Sequence, residues 1–474
     1  MKVLFTVSEA SPFVKTGGLA DVAGSLPKAL CREGADVRVI LPLYSAIEEK
    51  WRLKMNFLFY TYVHLAWRRQ YCGLFCLVHE GVTYYFIDNE YYFKRSGIYS
   101  EFDDGERFAF FSKAVTEILP LLGWDPDVVH CNDWQTALIP VYMKLEASDF
   151  YSGIKTVFTI HNIEYQGRFS KFTSDDVFGL PEWLFSQGIT RYGDDIVLMK
   201  GAIYQADFIT TVSPSYAHEL CNEYFACGLH EVIRDNSYKL TGIVNGIDTE
   251  YFNPLNDRSI AVNYGPETLG GKSECKKDLC RELGFDENDS TPIIVCVSRL
   301  VEHKGFGLVA ESLWDILSKN VRLVVLGTGN IEYENFFRNA EINSKGRVSA
   351  NIMYSETRAS KVYAGGDMLL MPSRSEPCGL AQMIAMRYGT VPIVHAVGGL
   401  QDTVRPHPSE NSNGFAFYNY SSYDMLKVID YALEIYKNKE EWQNLMHRGM
   451  TEDLSWNCSA NEYLKIYKSL KKQA

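Results

Sequence analysis

Three stretches, far apart in the chain, each place charge and glycine or helix-opening residues directly after an apolar run. Residues 15–22 read Lys-Thr-Gly-Gly-Leu-Ala-Asp-Val and follow the run Val3 to Val7. Paired glycines between a strand and a helix let backbone N–H groups approach an anion, and the helix N-terminus adds a partial positive charge. Lys15 supplies a full positive charge, Gly17 and Gly18 the close approach, and Asp21 an acceptor in the first helical turns. Such a loop can hold the phosphates of a charged sugar donor; an ordinary tight strand-to-helix turn uses the same glycine pair. Near residue 299 the segment Ser-Arg-Leu-Val-Glu-His-Lys-Gly (298–305) follows the run Ile293 to Val297. Arg299 and Lys304 lie five apart across this loop, so a guanidinium fork and an ammonium point charge can reach one diphosphate. The third stretch, Pro-Ser-Arg-Ser-Glu-Pro-Cys-Gly-Leu (372–380), follows Met368 to Met371. Here Glu376 can accept from sugar hydroxyls, while the amides of Cys378, Gly379 and Leu380 open the next helix and can donate. Each alone is compatible with structural loop chemistry. Three together at C-terminal strand ends point to a ligand site of an α/β protein.

The elements that must position these loops follow a clear rhythm. Short β-branched runs at Val37 to Leu41, Val128 to His130, Thr156 to Ile160 and Phe208 to Val212 alternate with amphipathic stretches such as Ala109 to Leu122. The rhythm recurs at Ile293 to Val297, Arg322 to Leu326, Met368 to Met371 and Val391 to Val394. It predicts parallel α/β structure in two doubly wound, Rossmann-like domains, and 474 residues suit two domains rather than one core. The boundary falls near Leu240 to Phe252, where two glycines give a turn signal, with an irregular surface excursion over Asn253 to Lys272. The domains are therefore expected at 1–243 and 244–458, with a helix over 459–474. Gly-Gly-Leu-x-Asp occurs at 17–21 and again at 398–402, which suggests two similar helix-opening loops. Aromatics crowd the segment from Asn56 to Tyr99, including Trp67, Tyr84, Tyr85, Phe86, Tyr91, Tyr92 and Phe93. Aromatic faces suit pyranose rings, but alternating aromatics in strands are more often core, and core is the expectation here.

Charge and cysteine content exclude several classes. A formal net charge of −12 argues against nucleic acid, which wants a basic footprint. Eleven scattered cysteines without a Cys-x-x-Cys pair indicate neither a zinc site nor a disulfide framework, so a reduced compartment is expected. Ser8 and Glu9 interrupt the first apolar run too soon for a signal peptide, and no run approaches bilayer length, so no membrane partner and a cytoplasmic location are expected.

Taken together, the motifs resemble the bacterial glycogen synthase and plant starch synthase family of retaining glucosyltransferases. The matching residues are the opening motif at 15–22, His-Cys-Asn-Asp-Trp at 130–134, and His-Asn-Ile-Glu-Tyr-Gln-Gly at 161–167. They continue with Val-Asn-Gly-Ile-Asp at 244–248, Arg299 with Lys304, Glu-Pro-Cys-Gly-Leu at 376–380, Arg-Tyr-Gly at 387–389 and Gly-Gly-Leu-Gln-Asp-Thr-Val at 398–404. The resemblance implies the glycosyltransferase-B architecture: two Rossmann-like domains facing a central cleft, with the last helix crossing back onto the first. It implies transfer of glucose from a nucleotide-glucose donor, ADP-glucose favoured, to the non-reducing 4-hydroxyl of an α-1,4-glucan such as glycogen.

Such transfer needs a stabilised leaving diphosphate, a cradled cationic sugar and exclusion of water. Lys15, Arg299 and Lys304 meet the first need. No convincing Asp-x-Asp is present, and the adjacent pairs at Asp103–Asp104, Asp175–Asp176 and Asp194–Asp195 read as solvated surface, so catalysis is expected to use no metal and no pyridoxal phosphate. By resemblance His161 lies near the reacting glucose and offers its backbone carbonyl rather than acting as general base. Asn162, Asn245 and Cys378 belong to the donor side by the same resemblance, Tyr354 stacks on the base, and Asp133 and Trp134 shape the acceptor side. Glu376 could be a nucleophile in principle; the family pattern makes it a binder of glucose hydroxyls. Where many relatives of this architecture carry a second glutamate against the ribose, Ile384 stands here, so nucleotide choice stays open between ADP- and UDP-glucose. Competing readings are another sugar enzyme of the same architecture or a glucan-binding protein without activity. An oxidoreductase fits poorly, because Gly327-Thr328-Gly329 lacks a third glycine, Glu332 standing in its place.

Overall fold

The computed structural model describes residues 1–146, 148–288 and 290–472. They form two compact units, one within residues 1–212, 217–245 and 456–472, the other within residues 213–216 and 246–455.

The first unit holds twelve strands: β1 (Lys2–Thr6), β2 (Asp36–Pro42), β3 (Asn56–Leu65), β4 (Arg68–His79), β5 (Val82–Asp88), β6 (Val128–Asn132), β7 (Lys155–Ile160), β8 (Arg168–Ser170), β9 (Arg191–Tyr192), β10 (Asp195–Val197), β11 (Phe208–Thr211) and β12 (Leu240–Gly242). Nine of them make one sheet in the order β12-β11-β7-β6-β1-β2-β5-β4-β3, while β8, β10 and β9 form a small antiparallel sheet. The large sheet is parallel from β12 to β5 and antiparallel across β5, β4 and β3, so it is not the purely parallel sheet that the sequence rhythm suggests. Beyond their first residues, strands β1, β6 and β7 are buried on both faces and enclose polar side chains such as Thr6, His130, Asn132 and Thr159 among aliphatic ones, whereas β3 alternates toward solvent and needs a one-sided, hairpin-type partner.

The predicted helix at 109–122 begins earlier, at Asp104, and ends at Ile118 in a short 3-10 turn; Pro120 lies in that turn. The final helix, Trp456–Lys471, belongs to this unit and packs against the helix Gly18–Arg32, with Tyr467 hydroxyl 2.7 Å from His130 Nδ1.

The second unit carries β13 (Ile293–Val297), β14 (Arg322–Leu326), β15 (Val348–Asn351), β16 (Met368–Met371), β17 (Val391–His395) and β18 (Phe415–Phe417) in one parallel sheet ordered β15-β14-β13-β16-β17-β18. Its core is an aliphatic and aromatic cluster that includes Ile294, Leu323, Val325, Phe337, Leu370 and Trp442. The stretch 253–272, expected as an irregular surface excursion, is irregular and largely exposed up to the helix Gly270–Leu283, and it is pinned to the unit at single points. Tyr264 is buried and donates to the Tyr388 carbonyl at 2.8 Å.

In both sheets the chain winds outward in two directions from a single point. Unit one reverses between β1 and β6, unit two between β13 and β16. Ligand crevices of open α/β sheets lie outside the C-terminal strand ends at such points.

The aromatic segment splits in two. Tyr84, Tyr85, Phe86, Tyr92 and Phe93 are core, as expected, but Trp67 is 74% and Tyr91 64% exposed. Trp67 sits in the turn between β3 and β4 and Tyr91 on the short helix Glu90–Phe93, positions that composition alone does not distinguish from core.

Candidate active site

The loops leaving β1, β6 and β7 carry the candidates of the first unit. Lys15 Nζ lies 2.8 Å from Asp21 Oδ1, so the cation and the acceptor of the opening motif are paired with each other. Gly17 caps the helix Gly18–Arg32 in extended backbone. The amides of Thr16 and Gly17 turn onto the carboxylate of Glu9, which also accepts from Thr16 Oγ1 at 2.9 Å. Glu9 is 3% exposed and its pKa is raised by burial, partly offset by these donors. The sequence reading missed Glu9 as a site residue. Its signal was the abrupt change from apolar run to Ser8-Glu9 at a strand end.

Asp133 follows β6 with φ 56° and ψ 179°, a conformation costly for a side-chain-bearing residue. Its Oδ1 accepts from His161 N at 2.8 Å, and Asn162 N donates to the same carboxyl, so Asp133 ties the end of β6 to the end of β7. Burial pushes its pKa up to about 7 against those two amides, and the Glu9 charge adds to the rise. His161 Nε2 sits 2.9 Å from Asn132 Oδ1, and burial lowers its pKa to about 3. A ring that stays neutral has little use as a base at neutral pH. Asn162 Oδ1 accepts from Glu164 N, and Asn245 is buried shortly after β12. Trp134 packs between Phe108 and Phe169, with Gly167 (φ 64°) beneath it, where a Cβ would come within 2.7 Å of the indole. Trp134, Tyr165, Gln166 and Arg168 line a groove of about 550 Å³.

In the second unit the loops after β13 and β16, the two strands at the reversal point, are joined. Lys304 Nζ lies 2.7 Å and 2.6 Å from the two oxygens of Glu376, and Ser373 Oγ donates to Oε2 at 3.0 Å. Glu376 is 4% exposed. With both oxygens held by one ammonium, it is poorly arranged as a nucleophile and well arranged as a fixed acceptor. Arg374 N donates to the His303 carbonyl, a second link between the loops. Arg299 projects to solvent from the same loop as Lys304.

Gly305 (φ 79°) follows Lys304 directly, and a Cβ there would meet the Pro372 carbonyl oxygen at 1.9 Å. Gly305→Ala is therefore expected to cost about 2–4 kcal/mol, read as a lowered thermal midpoint, together with loss of the Lys304–Glu376 geometry. Gly327 and Gly329 make similar close approaches to Ser298 and Leu300, which accounts for that glycine pair structurally rather than as a dinucleotide loop. Cys378 is buried, Gly379 has φ 75°, and Leu380 caps the helix Ala381–Arg387, on which Ile384 is packed inward. Gly398 and Gly399 press against the backbone of Glu376 and Cys378. Tyr354 is 73% exposed beyond β15, its hydroxyl 3.0 Å from Glu356.

The acidic pairs differ from one another. Asp103 and Asp104 bond Arg95 and Arg107 and are mostly buried, contrary to the solvated surface expected, whereas Asp194 is almost fully exposed. Among the described residues no three His, Cys, Asp or Glu side chains are grouped to hold a metal ion, and no helix is long and apolar enough to cross a membrane.

Residues 2–235 match the model of the starch synthase catalytic domain, and residues 284–445 that of glycosyl transferases group 1. The chain is 46% identical over 475 residues to a glycogen synthase of Clostridium botulinum, covering 99% of each. The chain belongs to the glycogen synthase family. A member from Caldicellulosiruptor saccharolyticus is 48% identical over the full length of both chains. The catalytic domain of starch synthase IV from Arabidopsis thaliana, solved bound to ADP and acarbose, superposes with a TM-score of 0.92 at 33% identity over 99% of each chain. A sucrose-phosphate synthase of Thermosynechococcus elongatus, 15% identical, shares the fold with a TM-score of 0.62. Membership in the glycogen synthase family makes the protein a hexosyltransferase with the two-domain glycosyltransferase-B fold, as the motifs implied.

Proposed function

We propose that the protein transfers glucose from ADP-glucose to the non-reducing 4-hydroxyl of an α-1,4-glucan, with retention, in the cytoplasm and without metal or pyridoxal phosphate. The observation that carries this is the Lys304–Glu376 pair at the reversal point of the second sheet, with Arg299 on the same loop. Lys304, Arg299 and Lys15 stabilise the leaving diphosphate in the role a metal fills elsewhere. Glu376 and the amides of Cys378, Gly379 and Leu380 hold glucose hydroxyls and phosphate. His161 supplies its carbonyl to the cationic sugar, Asn162 and Asn245 support the donor, and Gly17, Gly18 and Asp21 shape the loop around Lys15. Tyr354 stacks on the base; Asp133 and Trp134 face the acceptor. In the transfer the bond from the anomeric carbon to phosphate breaks as that to the acceptor oxygen forms. The departing phosphate takes the acceptor's proton on the same face.

Support for adenine comes from the Arabidopsis relative, whose solved structure contains ADP. The test is transfer of labelled glucose to glycogen in EDTA from ADP-glucose and UDP-glucose. Transfer that survives chelation and runs faster from ADP-glucose is expected. Loss on chelation, or a UDP-glucose preference, overturns the corresponding part.

A further inference from the structure

One buried cation of the second unit takes no part in the transfer proposed above. Lys272, in the first turn of the helix Gly270–Leu283, is 6% exposed. Its ammonium donates to the carbonyls of Tyr363 at 3.2 Å, Ala364 at 3.0 Å and Tyr388 at 3.0 Å, and to Thr390 Oγ1 at 2.8 Å. All four partners are uncharged. The Asp367 carboxylate acts on Lys272 from a distance, and its direct partner is Lys276 at 2.7 Å. Burial draws the pKa of Lys272 down to about 7. The lysine stem packs beneath Gly389, where a Cβ would meet its Cδ at 3.5 Å.

Lysine is almost never buried without a paired carboxylate. Replacing a buried ion by an apolar side chain of like volume is often neutral or stabilising, so stability alone is a poor reason for an ammonium here. What the four oxygens share is their place in the chain. Tyr363 and Ala364 close the helix Glu356–Gly365, just before β16. Tyr388 caps the helix Ala381–Arg387, and Thr390 leads into β17. Carbonyls at two helix C-termini, which carry partial negative charge, thus turn onto one cation. Between these anchors runs the stretch that leaves β16 and bears Ser373, Glu376 and Cys378. Lys272 closes its base, separated from the exit loop by about 13 Å of strand β16, while Lys304 holds Glu376 at the other end. Two further bonds reinforce the base. Thr390 Oγ1 donates to the Gly366 carbonyl at 3.0 Å, and Tyr264 shares the Tyr388 carbonyl with Lys272.

We infer that Lys272 is a positioning residue for donor binding: its ammonium ties together both flanks of residues 372–388, so that Glu376 and the amides after it stand where a nucleotide-sugar can use them. The inference rests on the donor site proposed above. An uncharged side chain in its place removes a shared partner from both flanks at once, and a displacement of about 1 Å is enough to weaken a preorganised site.

The test compares wild type with Lys272→Met, Thr390→Val and Thr390→Ser at about pH 6, where the ammonium keeps its proton. Calorimetry follows binding of ADP and of UDP, and mass spectrometry follows hydrogen exchange over residues 372–390, β14 and β15. Lys272→Met should bind ADP about tenfold more weakly and exchange faster over 372–390, with β14 and β15 unchanged. Its rate at saturating donor should stay within about twofold of wild type, since every reacting group is still present. Thr390→Val, which removes one of the four oxygens, should lose about threefold in ADP binding and loosen the same segment. Thr390→Ser keeps the hydroxyl and should match wild type. This pair decides the outcome where Lys272→Met does not fold. ADP binding within about twofold of wild type in Thr390→Val, and in Lys272→Met where it folds, overturns the inference and leaves Lys272 a structural anchor. Faster exchange spread equally over β14 and β15 overturns it as well. Loosening confined to 372–390 in the variants of a protein that binds neither nucleotide leaves the hold of Lys272 on this segment standing and defeats the proposed donor site instead.

Discussion

Replacing Lys304 with alanine is expected to lower the transfer rate by about 10²–10³-fold, the loss typical of removing one preorganised donor from a developing negative charge. The same change should also lower stability, because the two effects share one contact. Lys304 Nζ is the partner of both Glu376 oxygens, and Glu376 is 4% exposed. Removing the ammonium leaves a buried carboxylate with Ser373 as its remaining named side-chain donor. Breaking a buried pair from one side costs about 3–5 kcal/mol. The two losses separate in a double variant. Lys304→Met with Glu376→Gln removes both charges and should recover most of the thermal midpoint, since no unpaired ion remains. Activity should not recover, because the diphosphate still lacks its cation. If the double variant regained activity along with stability, Lys304 would be a structural partner of Glu376 and not a participant in transfer. The single Glu376→Gln variant should keep the fold and lose sugar binding, seen as a raised donor KM.

The sequence reading reached these two residues because each follows an apolar run and precedes a helix, and the fold puts them on the loops that follow two neighbouring strands. What sequence could not supply was the pairing itself. Residues 304 and 376 are 72 apart, and only the order β14-β13-β16-β17 makes their loops adjacent. The repeated Gly-Gly-Leu-x-Asp shows the limit of local pattern. Both copies open helices, yet Gly398 and Gly399 are sealed against the Glu376–Cys378 backbone, while the first pair stands beside Glu9. Their aspartates diverge as well, Asp21 pairing with Lys15 and Asp402 bonding Ser215. Glu9 escaped notice because its role depends on a tight turn that brings Thr16 and Gly17 back over it. The exposed tyrosines of the β3–β4 hairpin were assigned to core for a related reason. Period-two alternation identifies a strand with two unlike faces, but which face is covered depends on a helix more than thirty residues downstream.

Asp133 should give stability and activity opposite dependences on pH, with Asp133→Asn removing both. Its carboxyl has an ordinary pKa near 4 in the unfolded chain and about 7 in the folded one. Between those values the unfolded chain releases a proton that the folded protein keeps. Stability from this group is therefore full at low pH, falls as pH rises from about 4 to about 7, and is level above. Because the carboxyl retains some contact with water, the fall is about 1–2 kcal/mol. Asparagine occupies positive φ readily and can still accept from His161 N and Asn162 N, so the variant should fold and lack that slope. Glu9 contributes a slope of the same sign, which subtracting one melting curve from the other removes. Transfer should run the other way. Ionised Asp133 adds negative charge where His161 enters the proposed sugar site, and a cationic sugar gains from it. The wild-type rate should thus climb through about pH 7, and the variant should be lower and flat across that range. Neither nearby histidine can mimic this limb, because burial holds His130 and His161 at pKa values of about 3. A limb that persists in Asp133→Asn would transfer the role to Glu9. A strained, partly dehydrated carboxyl that costs stability as it ionises is what a site gains from holding Asp133 at φ 56° between two strand ends.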